Sequence, residues 1–446
     1  MHVKHYHFIG IAGVGMSALA HVLLQKGLKV SGSDIQKNSI IEQLCKRGAE
    51  IFYSQKRENI KKDQIVVYST AILEKNPEII QARKLGCQLL HRSELLQKLL
   101  TEKKAIIVAG SHGKTTTSAL LSYVLSKSLL DPSYIVGGFS PSLETNGRWG
   151  KGEVFVAEGD ESDGSFLKSS PFGAILTNID FDHICYWKTK QALLEGFNKF
   201  INSIENQDLF VYNGDDLYLS KLSTKGISFG FSSNVKIRAK NIRYQKQKVY
   251  FDVDFKGKVY CDIVSPLLGE HNVLNALSVF AMAILLGLDG ETIRQAFNTF
   301  KGVNRRLEYK GNKDQIVIFD DYAHHPNEIK EVLQTLEKVK DKKRLVVVFQ
   351  PHRYSRTLEL FDDFIKIFQT IDHLVLTDIY SAGEDPIDGI TSEALLEKLS
   401  RNKNIQYIPR KQLTQSLLEY LKPNDLVITL GAGDITQVSD QLQVCF

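Results

Sequence analysis

Two glycines, a lysine and three threonines stand together in Gly110-Ser111-His112-Gly113-Lys114-Thr115-Thr116-Thr117. An apolar run, Ala105 to Ala109, precedes them, and a helical pattern with Leu120, Leu121, Val124 and Leu125 follows. The order predicts a strand, a tight loop and a helix. Such a loop aims backbone N–H groups at an anion seated on the helix N-terminus. Lys114 adds a charge that reaches terminal phosphates, and the Thr115 hydroxyl suits a magnesium ion. The loop departs from the standard G-x-x-x-x-G-K-[ST], whose first glycine would fall at Val108. An incidental Gly-Lys-Thr turn is the plainer alternative, and the strand–loop–helix context argues against it.

Acids follow in a matching pattern. Val154-Phe155-Val156-Ala157 runs into Glu158-Gly159-Asp160-Glu161-Ser162-Asp163, and Ala174-Ile175-Leu176 runs into Thr177-Asn178-Ile179-Asp180-Phe181-Asp182-His183. A strand that delivers acids at its C-terminal end is what a magnesium nucleotide site needs opposite the loop. Glu270-His271-Asn272-Val273-Leu274-Asn275 then opens a long apolar helix to about Leu286.

Similar edges occur before and after this segment. Near the N-terminus, His5 to Ile9 leads into Gly10-Ile11-Ala12-Gly13-Val14-Gly15, and the strand Lys29 to Ser33 ends at Asp34. That is a Rossmann-type fingerprint with Ala12 at the middle glycine position, and it fits a diphosphate without naming the nucleotide. The strand Ile65 to Tyr68 runs into Ser69 on the same expected cleft. After Arg305-Arg306, the strand Ile316 to Phe319 leads to Asp320-Asp321-Tyr322-Ala323-His324-His325-Pro326. The strand Leu345 to Phe349 leads to Gln350-Pro351-His352-Arg353-Tyr354-Ser355-Arg356. In a parallel sheet, strand C-terminal ends line the ligand crevice, and every unusual polar cluster here sits at such an end.

These elements predict an α/β chain of three domains. Residues 1–102 form a Rossmann-like domain, 103–306 a central P-loop ATPase-like domain, and 307–446 a second Rossmann-like domain. At 446 residues the chain is too long for one core. Cys45, Cys87, Cys185, Cys261 and Cys445 are scattered, with no pairing that suggests zinc or a disulfide framework. No apolar run approaches a membrane span, and Met1 to Lys4 leads straight into a strand without a signal-peptide pattern, so a cytoplasmic location is expected. The formal charge of +5 is small, and the lysine-rich stretch 246–258 reads as solvated surface rather than a nucleic-acid site.

Taken jointly, the motifs resemble the Mur ligase family, the ATP-dependent amino-acid ligases of peptidoglycan synthesis, nearest its alanine-adding branch. The resemblance spans essentially the whole chain. It rests on the G-x-x-G-K-T-T loop, the Glu158–Asp163 run with Gly164-Ser165-Phe166, the Thr177-Asn178…Asp182-His183 cluster, Asp320 to Pro326, and Phe349 to Arg356. Ala12, Ser111 and Ala323 depart mildly from that pattern, and Ile184-Cys185-Tyr186-Trp187 is unusual for it. The resemblance implies ATP bound by Gly110, Ser111, His112, Gly113, Lys114, Thr115 and Thr116, with Asn275, His271 and Asn272 on the adenine side. Arg306 and Asp321 would add contacts from the last domain. It implies Mg2+ on Thr115, Glu158 and His183. It places the diphosphate of UDP-N-acetylmuramate on Gly10, Gly13 and Gly15, with Asp34, Ser69 and His91 on the uridine side. Tyr322, His324, Arg353 and Arg356 would form the L-alanine pocket, with Lys114 and His324 carrying the chemistry.

Such a reaction transfers the γ-phosphoryl group of ATP to a carboxylate, because oxide is a poor leaving group and phosphate a good one. Lys114 and magnesium would offset the meeting of two anions, and closure of the domains is expected to bring the substrates together. A nicotinamide-dependent dehydrogenase would explain Gly10 to Asp34 but leave the phosphate loop idle. A P-loop motor or transport ATPase would leave the first segment idle. A muropeptide ligase that attaches a preformed tripeptide is the nearest rival.

Overall fold

The computed structural model describes residues 4–161, 164–180, 184–222, 225–245, 248–265, 267–399 and 404–445. Two compact units divide the chain. One comprises residues 1–242, 250–266 and 274–301, and the other residues 243–249, 267–273 and 302–446.

The first unit holds one sheet and, apart from residues 243–249, a second. In the first sheet, β1 (His5–Ile9), β2 (Lys29–Ser33), β3 (Glu50–Phe52), β4 (Gln64–Tyr68) and β5 (Gln88–His91) lie in the order β3-β2-β1-β4-β5, all parallel. The chain builds outward from β1 to one side and then to the other, so a crevice opens where the order reverses, at the C-terminal ends of β1 and β4. Gly10, Asp34 and Ser69 follow directly on β1, β2 and β4, and His91 ends β5. Four of the expected nucleotide-sugar residues thus line one edge.

The second sheet has ten strands: β6 (Lys104–Ala109), β7 (Ser133–Ile135), β8 (Gly147–Arg148), β9 (Val154–Glu158), β10 (Gly173–Leu176), β11 (Phe210–Asn213), β12 (Ile227–Gly230), β13 (Ile237–Gln245), β14 (Lys248–Phe255) and β15 (Lys258–Ser265). Their order is β15-β14-β13-β12-β11-β10-β6-β9-β7-β8. From β7 through β9, β6, β10, β11 and β12 to β13 the pairing is parallel. The phosphate-loop strand β6 therefore lies between the two acid-bearing strands β9 and β10. The helix Lys114–Ser126 buries Leu120, Leu121, Val124 and Leu125. The lysine-rich stretch expected as solvated surface is instead largely a strand. Within β14, Val249, Phe251 and Val253 are fully buried, an alternation that the flanking lysines hid.

One hydrophobic core runs through both sheets, from Phe8, Leu19 and Leu23 to Ile107, Phe155 and Phe166. The helix Val14–Gln25 is the shared wall. Asn146 donates from Nδ2 to the Val14 carbonyl (2.7 Å) and to Ser17 Oγ (3.0 Å). Gly147 lets β8 lie directly on that helix, since a Cβ there would stand 2.1 Å from the Ala18 carbonyl oxygen.

In the second unit, β16 (Glu308–Lys313), β17 (Ile316–Asp321), β18 (Arg344–Phe349), β19 (His373–Leu376), β20 (Asn404–Tyr407) and β21 (Asp425–Leu430) lie in the order β16-β17-β21-β18-β19-β20. Only the β16–β17 pair is antiparallel among these pairings. Ile318, Val346, Val348, Val375 and Val427 form its core with Leu417, Val438 and Leu442 from the covering helices. Among the described residues no helix is long and apolar enough to cross a membrane.

His21 sits 1% exposed inside the wall helix. Burial, with the Arg47 charge adding to it, lowers its pKa from 6.5 to about 4. The unfolded chain therefore binds the proton more tightly than the folded one, and His21 costs stability as pH falls from 6.5 towards 4. Replacing His21 by Leu should flatten that fall by about 2–3 kcal/mol. Urea unfolding of both proteins at pH 7.5 and pH 4.5 checks it; equal pH slopes would contradict the assignment.

Candidate active site

The phosphate loop is built from the strand end outward. Gly110 (φ +129°) and Gly113 (φ +82°) take conformations that L side chains avoid. A Cβ on Gly110 would also stand 2.2 Å from Thr177 Oγ1, and one on Gly113 would stand 2.6 Å from Asn275 Oδ1. Asn275, expected on the adenine side, therefore lies against the loop itself.

The polar cluster after β10 supports this loop from beneath. The Ser111 N–H donates to the Asn178 carbonyl (3.1 Å), and the His112 N–H donates to Asn178 Oδ1 (2.8 Å). Thr177 Oγ1 donates to the His112 carbonyl (2.7 Å). Ser111 Oγ bridges the Asp180 carbonyl and N–H (3.0 and 2.8 Å), and the His112 ring lies 3.2 Å from Asp180 Oδ2. The groups facing the strand are thereby consumed, which leaves the start of the helix Lys114–Ser126 to face a ligand.

Lys114 Nζ donates to the Gly110 carbonyl (2.6 Å), the Ser111 carbonyl (3.1 Å) and Glu161 Oε1 (2.9 Å). Glu161 is 1% exposed. Burial pushes its carboxyl above the usual range, and the Lys114 ammonium pulls the other way. Thr115 Oγ1 and Ser118 Oγ each donate to Glu158 at 3.0 Å, and the Gly137 N–H donates to the same carboxylate. The structure thus joins Thr115 and Glu158 at the loop mouth, an all-oxygen pair suited to Mg2+, which takes few protein ligands and keeps waters and phosphates. Among the described residues no group of three His, Cys, Asp or Glu forms a metal cage. His183, the other expected ligand, lies outside the described residues.

The glycine loop of the first sheet is held the same way. The Gly10 and Ile11 N–H groups donate to the Ser33 carbonyl (2.8 and 3.1 Å), and the Gly13 N–H donates to the Gly10 carbonyl (3.2 Å). The Ala12 N–H donates to Asp34 Oδ2 (2.9 Å). Asp34 also accepts from the Gln36 N–H (3.0 Å) and is 8% exposed. Its carboxylate thus sits beneath the loop rather than out in the cleft. The N–H groups that remain to an anion are those opening the helix Val14–Gln25, where Gly13 and Val14 are exposed. Arg92, absent from the sequence reading, stands beside them. Its guanidinium lies 3.4 Å from where a Gly15 Cβ would be and 3.3 Å from Asp160. His91 caps the helix Arg92–Leu100 and meets the Tyr68 ring edge-on, with centroids 5.5 Å apart. Ser69 is half-buried, its carbonyl accepting from Ile72 (3.0 Å).

In the second unit the expected amino-acid residues gather at the ends of β17 and β18. The Arg305 and Arg306 guanidinium groups lie 4.9 and 5.1 Å from the Tyr322 ring centroid. Tyr322, His324, His352 and Tyr380 form a continuous ring contact, with centroids 5.3, 5.9 and 5.6 Å apart in turn. His324 Nδ1 is 3.0 Å from the Tyr322 carbonyl, which only accepts, so Nδ1 carries the proton and Nε2 has the lone pair in the neutral ring. Burial, together with the charges of His324, Arg356 and Arg353, holds His352 down to about 4, neutral at ordinary pH. Its Nδ1 accepts from Arg356 (3.2 Å), since a guanidinium only donates. Arg353 precedes the short helix Tyr354–Glu359 at φ +70°, a strained setting for a non-glycine residue.

Asp321 accepts from the Leu307 N–H (2.5 Å) and the Ala323 N–H (2.6 Å). Its burial, against the opposing charge of Arg306, pushes it up to about 7. His271, within 4.0 Å of Glu331, and Asn272, bonded to the Leu268 carbonyl (2.7 Å), belong to the second unit, whereas Asn275 belongs to the first. Arg92 lies outside every motif read from the sequence, and Glu161 and Asn178 lie inside motifs without a role of their own. The acid run was visible in the sequence, but not which of its members would face Lys114.

Three family models match in chain order: the Mur ligase family catalytic domain over residues 5–104, the Mur ligase middle domain over 108–283, and the Mur ligase glutamate ligase domain over 305–433. The UDP-N-acetylmuramate--L-alanine ligase of Protochlamydia amoebophila (strain UWE25) is 43% identical over 440 residues, covering 98% of this chain and 97% of that protein. The protein of the same name from Aquifex aeolicus (strain VF5) is 40% identical over 439 residues, covering 98% and 96%. The crystal structure of the UDP-N-acetylmuramate-alanine ligase MurC from Thermotoga maritima superposes with a TM-score of 0.86 at 30% identity, covering 99% and 98%. A murein peptide ligase from Psychrobacter arcticus 273-4 shares the fold at a TM-score of 0.71 and 22% identity, covering 99% and 98%. Matched along nearly its whole length, the chain belongs to the Mur ligase family.

Proposed function

We propose that this protein is an ATP-dependent ligase that joins L-alanine to the carboxylate of UDP-N-acetylmuramate in peptidoglycan precursor synthesis. The observation that carries the reading is end-to-end identity of 40–43% with proteins named for that activity. The arrangement of polar groups at strand ends supports it. A murein peptide ligase shares the fold but is only 22% identical to this chain, against 40–43% for the proteins named for alanine addition.

In this reading Lys114 and the N–H groups opening the helix Lys114–Ser126 bind the ATP phosphates. The substrate carboxylate oxygen bonds to the γ-phosphorus, the bond to the ADP oxygen breaks, and an acyl phosphate results. Lys114 offsets the charge gathered there. Mg2+, held by Thr115 and Glu158, would supply further charge neutralisation. In the first domain the diphosphate of UDP-N-acetylmuramate rests on the start of the helix Val14–Gln25, with Arg92 as a counter-charge.

The alanine amine then bonds to the acyl carbon, and phosphate leaves with the electrons of the C–O bond. The amine must lose a proton, and His324 Nε2 carries the lone pair to take it. Arg353 and Arg356 grip the α-carboxylate, for which a planar donor fork is suited.

Lys114→Ala should lower kcat at least about 100- to 1000-fold, with UDP-N-acetylmuramate affinity unchanged. ADP release measured with all three substrates tests this, and near-normal turnover would refute the ligase reading. For the amino-acid pocket, Arg356→Ala should raise KM for alanine about 10- to 150-fold, leaving KM for ATP and UDP-N-acetylmuramate in place. A rise confined to ATP would assign the arginine to the nucleotide instead.

A further inference from the structure

The cleft edge of the first sheet converges on a carboxylate with no place in the chemistry above. Glu78 lies in the first turn of the helix Pro77–Lys84 and is fully buried. Its Oε2 accepts from Ser33 Oγ (2.6 Å), and its Oε1 accepts from Asn59 Nδ2 (2.6 Å). The fully buried His7 ring stands 3.6 Å from the same Oε1. Asn76 Oδ1 accepts the Glu78 N–H (2.9 Å).

Each group that Glu78 holds belongs to a different stretch of that edge. Ser33 ends β2, and its carbonyl takes the Gly10 and Ile11 N–H groups. The next residue, Asp34, takes the Ala12 N–H. Asn59 also donates to the Ser54 carbonyl (2.7 Å), just beyond β3, and Asn76 donates to Gln55 Oε1 (2.7 Å). The segment leading into the Glu78 helix carries Ile72, whose side chain reaches within 3.6 Å of where a Gly10 Cβ would be. The stretches after β1, β2, β3 and β4 are thus tied to one carboxylate. An apolar residue would fill that space without the desolvation of an ion. What a carboxylate adds is two fixed acceptors, which set the position of the Ser33 hydroxyl and with it the carbonyl under the glycine loop.

We propose that Glu78 is a positioning residue for the nucleotide-sugar substrate. Through Ser33 it fixes the glycine loop, so that the N–H groups opening the helix Val14–Gln25 meet the diphosphate already oriented. The proposal rests on the reading of the first domain as the UDP-N-acetylmuramate site. It predicts that the Glu78–Ser33 bond acts on binding of that substrate and not on ATP or on the chemical step.

The test uses the full chain with Ser33→Ala, Glu78→Gln, Glu78→Ala and the double variant S33A/E78Q. Calorimetry measures UDP-N-acetylmuramate and, as the internal control, a non-hydrolysable ATP analogue. Ser33→Ala should weaken the UDP-sugar about tenfold, and Glu78→Ala should weaken it more. The ATP analogue should stay within about twofold, as should kcat at saturating substrate. The double variant should bind no more weakly than Glu78→Gln by more than about twofold, because the two residues share one bond. Wild-type UDP-sugar affinity in Ser33→Ala and Glu78→Gln would overturn the proposal while leaving the ligase reading intact. A parallel loss of ATP-analogue binding would also overturn it, by showing general destabilisation. Wild-type protein that binds the ATP analogue but no UDP-N-acetylmuramate would overturn the underlying reading and this one with it. Ser33→Ala removes a single hydroxyl, so it decides the question should the Glu78 variants fail to fold.

Discussion

An ion pair between half-buried Lys114 and buried Glu161 ties the phosphate loop to the stretch after β9. Lys114 is tethered to Glu161 and to two carbonyls of its own loop. Burying a lysine and a glutamate together is stabilising only when hydrogen bonds replace the lost water. Here the two loop carbonyls supply that replacement. In the proposed reaction, incoming phosphate oxygens take over from these carbonyls as partners of Lys114. The lysine is thus held near its working position before any anion arrives, which is the sense in which such a site is preorganised.

The same device appears twice in the first unit, once beneath each expected phosphate-binding turn. Under the loop of β6, Thr177, Asn178 and Asp180 take up the inward-facing groups of Ser111 and His112. Under the glycine loop of β1, Ser33 and Asp34 take up those of Gly10, Ile11 and Ala12. In both cases the support comes from the C-terminal end of a neighbouring parallel strand, β10 or β2. Parallel pairing brings those ends level, so one strand's polar exit lies under the next strand's turn. A turn supported in this way keeps its helix-start N–H groups for a ligand, and those are groups an anion needs.

This explains what could be read from the sequence and what could not. A strand–loop–helix around Lys114 is a local pattern, and both of its special glycines lie where a turn requires them. The placement of Gly10, Asp34, Ser69 and His91 on one edge follows from strand ends alone. Pairings across the sheet leave no such trace. Glu161 was one acid among several, and only the register of β6 with β9 brings it to Lys114. Asp34 carries the signature of a ligand contact, yet its oxygens serve the Ala12 and Gln36 amides. The stretch 246–258 misled because its lysines outweighed the alternation of Val249, Phe251 and Val253, and a short charged strand shows little periodicity.

The second unit meets a different electrostatic requirement. In the proposed reading two arginines hold a free carboxylate, and the protein around them must then leave their charge in place. His352 contacts Arg356 directly, and a carboxylate in its place would close an ion pair with that guanidinium. A neutral imidazole accepts the hydrogen bond and orients the arginine without cancelling its charge. Burial and the two arginines themselves keep the ring neutral, so the arrangement reinforces itself. The nearby acid Glu384 accepts from Ser355 Oγ (2.7 Å) and the Ser355 N–H (3.1 Å), and the Arg353 charge acts on its carboxylate as well. The positive φ of Arg353 fits the same requirement. A strained backbone persists only where the surroundings over-determine it. Here the Arg353 N–H is fixed by the Tyr380 carbonyl (2.8 Å), and its own carbonyl by Thr357 Oγ1 (2.8 Å). Strain at the helix entrance and a neutral histidine beside it thus both act on the two guanidinium groups that the proposed reading gives to the substrate carboxylate.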